Sequence, residues 1–137
     1  MSRLSRIFYL IAATLSMLGV VAHEWLGAPQ MLGPLEASGL PPDVVWMHHF
    51  SWHVDTVAVL AMVVMFTLAA RHREHVALAI IASAMSASFA VIGIGLATFA
   101  NAALWTTPAP YAWGPVAIIG ALGVLLRGTP YLPTNNR

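Results

Sequence analysis

With 137 residues, 59% of them hydrophobic and only 8% charged, the chain falls far short of the roughly 25% charged residues of a water-soluble domain, so lipid is its expected solvent. Its length fits one compact unit and leaves no room within it for a second soluble domain. No cysteine is present, which excludes disulfides and thiolate chemistry, and a net charge of +1 says nothing about nucleic acid, which is not expected as a partner.

Four apolar stretches are measured against the roughly 20 residues that a helix needs to cross a bilayer. The first covers about 4–26. Its opening, MSRLSR before an apolar run ending Val20-Val21-Ala22, also has the look of a signal peptide. Cleavage there would leave His23 as a copper-chelating N-terminus. The run is long enough to span, so the first helix is expected to stay attached. Gly27 to Asp43 holds three glycines and four prolines and is expected to be a loop lying on the membrane surface.

The second helix is predicted over 44–70 and is followed by a tight charged turn, Arg71 to His75. The third is predicted over 76–100. After a loop at 101–110, a shorter fourth segment covers 111–126, with Pro115 suited to a first turn and a tilted or re-entrant course left open. Trp105, Tyr111 and Trp113 are expected as interfacial anchors. The tail after Arg127 is expected to be polar and mobile.

Four spans put Arg3, Arg6, Arg71, Arg73, Arg127 and Arg137, the only Lys or Arg residues, on one side. The positive-inside rule makes that side the cytoplasm. The expected fold class is therefore all-α, a polytopic four-helix transmembrane bundle with both termini cytoplasmic, in a bacterial inner membrane.

Polar residues inside such segments call for a reason, because a charge at the bilayer centre costs about 2.5–3.5 kcal/mol. The second helix opens with His48, His49, Ser51, His53, Asp55 and Thr56. At about 100° per residue His49, His53 and Thr56 share one stripe, and His48 and Asp55 share another. Asp55 is thus expected to meet a different helix, or His48 two turns above it. His49 and His53, as an i, i+4 pair, suit one metal ion.

On the first helix His23 shares a stripe with Ser16 and Gly19, whose small side chains favour close helix packing. By helical rise His23 and His49 should lie within a turn of the same depth, with His53 a turn deeper. The polar stripe of the second helix should face the bundle, and Ala58, Met62 and Met65 the opposite side. His23, His49 and His53 are the candidate metal ligands, with Glu24 or Asp55 as outer partners. His72 and His75 belong to the solvated turn, and Ser83, Ser86 and Ser88 read as packing or back-bonding residues.

His23, the loop with Pro34-Leu35, and Trp52-His53-x-x-Thr56 resemble a group of small four-helix bacterial membrane proteins of unassigned function. The resemblance covers the first half of the chain and marks His23, Trp52, His53 and Thr56 without implying an activity. Three roles stay open. One is an accessory subunit packed in the bilayer against a larger bioenergetic or photosynthetic complex, or against a second copy. Another is a transition-metal or haem binder, since imidazole suits Zn, Cu and Fe. The third is a small proton or ion transporter built on Asp55 and His53. No nucleophile stands with a base, so no enzymatic activity is expected.

Overall fold

The computed structural model describes residues 2–127. Within them the chain is all-α. It comprises α1 (Arg3–Ala22), a π-helical turn (His23–Gly27), α2 (Ala28–Glu36), α3 (Pro42–Arg71), α4 (Val76–Phe99) and α5 (Trp113–Leu125). The expected polar tail lies outside the described residues.

The largest departure from expectation is at 27–43. Instead of a loop, α1, the π turn and α2 form one helical rod of 34 residues. The glycines and prolines permit this for local reasons. In the π turn the Ala28 N–H bonds the His23 carbonyl, so the regular i to i−4 ladder is already interrupted there. Pro29 falls in the first turn of α2, where it has no N–H to withhold. Only Pro34 sits in a helix interior, forfeiting the bond to the Gln30 carbonyl. Burial of Leu32 on α2 and Val45 on α3 accompanies the extension. The chain reverses only at 38–41, where Gly39 takes φ +73°, a conformation glycine adopts without strain.

The rod, α3, α4 and α5 form a ring in which α1 packs on α3 and α5, and α4 packs on the same two. Its core is built from Tyr9, Ala12 and Ala13 of α1, Met62, Phe66, Ala69 and Ala70 of α3, Ala79 and Ala82 of α4, and Val116 of α5. The many small residues let helix backbones approach closely, the usual packing solution where lipid removes the hydrophobic drive between helices. Ser83, Ser86 and Ser88 bond back to carbonyls one turn earlier, as expected. Ser16 is fully buried, which places the stripe of His23 inward.

The ends of the ring differ in charge. Ser2 Oγ donates to the Leu126 carbonyl at 2.5 Å and Ser5 Oγ to that of Gly123 at 2.7 Å, so both termini of the described chain meet at one end. Arg3, Arg6, Arg71, Arg73 and Arg127 gather there, whereas Glu24, Glu36 and Asp43 belong to the other end. Three of the four helical units are long and apolar enough to cross a membrane. With 13 residues, α5 reaches only about 20 Å at 1.5 Å per residue, against a hydrocarbon core of about 30 Å.

The buried stripe of α3 also departs from expectation. Met62 is fully buried and Met65 packs against the core, although both were assigned to the far side. The inward residues Val45, His49, Trp52, Thr56, Val59, Val63 and Phe66 follow alternating steps of four and three. That seven-residue repeat slips about 20° per repeat on a 3.6-residue helix. Over three repeats the buried face turns far enough to take in Met62.

Candidate functional site

The polar residues of the first two long helices meet at the acidic end. The His23 ring stacks on the Trp52 indole, with centroids 3.9 Å apart and planes 12° from parallel. Its Nε2 donates to the Trp52 carbonyl at 3.2 Å. The other edge of the indole is met by Gly27, where a Cβ would stand 3.0 Å from Trp52 Cζ2. The π turn thus grips Trp52 with a ring and a bare backbone.

Glu24 joins the remaining groups. Thr56 Oγ1 donates to Glu24 Oε1, and His53 Nδ1 lies 3.4 Å from the same oxygen. His23 and His53 are therefore brought to one place, through Glu24 and Trp52 rather than by direct contact. His49 is not part of this group. Its Nε2 lies 3.1 Å from Glu36 Oε1 without hydrogen-bond alignment, and its ring tilts against Trp46 at 4.8 Å. His49 lies within a turn of the depth of His23, but His23 meets Trp52 instead because the rod runs on past residue 26. Moving the turn to Gly39 slides α1 against a deeper part of α3, so His23 lies level with Trp52.

Nor does His48 meet Asp55, since its Nδ1 donates to the Val44 carbonyl at 2.8 Å. Asp55 instead faces a cavity of about 280 Å³ shared with other helices. His23, Thr56, Val59, Phe89 and Trp113 also line it. Two glycines shape its walls. A Cβ at Gly93 would stand 2.6 Å from the Ala109 carbonyl oxygen, so only glycine lets the 101–112 segment close over α4. At Gly19 a Cβ would be 3.5 Å from Trp113. Trp113 is therefore turned into the bundle, edge-on to Phe89 at 5.6 Å, rather than anchored outward. Trp105 and Tyr111 pair with each other at 5.7 Å.

Among the described residues no three His, Asp or Glu side chains gather as ligands of one metal ion. The candidate set His23, His49 and His53 is divided between two places, and the Nε2 of His23 is engaged by the Trp52 carbonyl. Sequence reasoning assigned none of Glu36, Gly27, Phe89 and Trp113 to the site, Trp113 being expected as an interfacial anchor. Glu36 becomes a site neighbour only once α2 is helical, and the other three carry no signal beyond residue type.

Fold and site together define a small all-α protein with three helices long and apolar enough to cross a lipid bilayer. Compared with protein-family models, with curated proteins and with solved structures, the chain has no match.

Proposed function

We propose that this is an accessory subunit of a larger protein complex in a bacterial inner membrane, with the arginine end in the cytoplasm. The observation that carries the reading is an uncovered apolar face on the outer part of α3. Starting at Arg6 and Arg71, a hydrocarbon core of about 30 Å spans roughly 20 residues and ends near Leu26 and Ser51. Trp46 and Met47 lie beyond that level and are 64% and 62% exposed. With Phe50 they form one face of α3, turned away from the stripe that packs on α1. Apolar side chains grouped outside the hydrocarbon mark a protein contact rather than a lipid one.

The double substitution Trp46→Glu with Met47→Glu should dissolve the native complex while leaving the unfolding temperature of the purified subunit unchanged. Native electrophoresis of mild-detergent extracts reads the first, and a thermal scan the second. A complex of unchanged size would end this reading, as would one accounted for by copies of this chain alone. The orientation is tested separately. A reporter fused after Arg127 should behave as cytoplasmic, and periplasmic activity would leave a three-span arrangement.

A further inference from the structure

We propose that the cavity at Asp55 is a binding site for a small organic cation with an apolar or aromatic body. The inference is independent of the accessory role, since it concerns the inside of the bundle and not its outer face. Asp55 carries the argument. It lies on α3 (Pro42–Arg71), four residues or about 6 Å inside the outer end of the hydrocarbon span, and an ionisable side chain within a membrane segment marks a functional site by default. Among the described residues no cationic side chain pairs with its carboxylate. The nearest arginine along its own helix, Arg71, is 16 residues away, about 24 Å by helical rise. Its charge therefore has no cationic partner among the described residues.

The remaining surroundings select the kind of cation. Phe89 and Trp113 line the same cavity, and aromatic rings attract cations through their quadrupole, more strongly where water is scarce. Val59 and Leu96 supply apolar wall. A hard metal ion would ask for six or more oxygen ligands, whereas here one carboxylate stands beside a hydroxyl already donating to Glu24. The volume points the same way. A dry cavity of about 150 Å³ accommodates benzene, so about 280 Å³ suits a single ring bearing a substituted ammonium group. A neutral ligand of that shape would leave the carboxylate desolvated and unpaired, which is unfavourable.

The test uses phenyltrimethylammonium and its uncharged isostere tert-butylbenzene, titrated calorimetrically into full-length protein in a maltoside detergent. The cation should bind one saturable site at least 10-fold more tightly than the isostere. Asp55→Asn should weaken the cation at least 10-fold, leave the isostere unaffected, and keep the wild-type unfolding temperature. Asp55→Glu should restore part of the affinity. A second variant addresses volume: Ile92, on the cavity wall and 57% exposed, can be enlarged by Ile92→Trp without overpacking the core. It should weaken both probes. Absence of saturable cation binding, equal affinity for the two probes, or cation binding indifferent to Asp55→Asn would each overturn the assignment. So would Asp55→Asn failing to fold while Ile92→Trp binds the cation like wild type.

Discussion

Gly120→Ala and Gly123→Ala should each destabilise the bundle by about 1–3 kcal/mol, the usual cost of forcing an extra carbon into a close-packed core. In an isolated or lipid-facing helix the sign would be opposite, because alanine favours the helix over glycine by about 1 kcal/mol. The neighbours decide the matter. A Cβ at Gly120 would meet Ser83 Oγ, and Phe66 Cε1 at 2.8 Å. A Cβ at Gly123 would stand 2.6 Å from Tyr9 Cε1. Phe66 and Tyr9 are among the most deeply buried side chains of the protein, so neither ring can swing aside. Gly95 and Gly114 have open space where a Cβ would be, and Gly95→Ala and Gly114→Ala should leave stability unchanged or raise it. Thermal unfolding of the four variants in one detergent makes the comparison. If Gly120→Ala matches Gly95→Ala, α5 is not seated between Phe66 and Ser83.

Such contacts explain why some features were legible in the sequence and others were not. Apolar run length and the arginines are local signals, and they locate the second, third and fourth helical units and the start of the first to within a few residues. The inward placement of His23 was also legible, because Ser16 and Gly19 lie on its stripe and both sides of the inference stay within α1. What failed depended on tertiary context. Seven glycines and prolines between Gly27 and Pro42 speak for a loop residue by residue, yet a π turn and the burial of Leu32 carry the helix through four of them. That single extension resets the depth of everything beyond it. It brings Trp52 and His53, rather than His49, level with His23 and Glu24. The rotation of α3 that buries Met62 has a similar origin, since a face drawn from one helical wheel assumes a straight stripe that packed helices do not keep. Asp55 was correctly separated from His49 and His53. Its cavity, made by four helices and two glycines, has no counterpart along the chain.

Within the polar group, the expected order of stability losses is Trp52→Ala first, Glu24→Leu second, His53→Leu third, with His72→Leu indistinguishable from wild type. Trp52 is gripped by the His23 ring on one face and by Gly27 at its edge. Truncating it should cost roughly 2–4 kcal/mol, toward the lower part of the range for fully buried tryptophan because it is only partly buried. Removing the Glu24 carboxylate strands less. The Thr56 hydroxyl can turn to the Trp52 carbonyl, already within 3.4 Å, so about 1 kcal/mol is expected for the lost hydrogen bonds. His53 is 58% exposed, and an exposed ion pair contributes about 0–1 kcal/mol. His72, 53% exposed and 3.6 Å from Glu74 in the charged turn, should change stability by less than about 0.5 kcal/mol. The physical claim behind this order is that stacking, not charge pairing, holds the first two long helices together at the acidic end. High salt should therefore leave the ranking intact. Parallel thermal unfolding of the four variants with and without added salt tests it, and a His53→Leu loss as large as that of Trp52→Ala would reverse the claim.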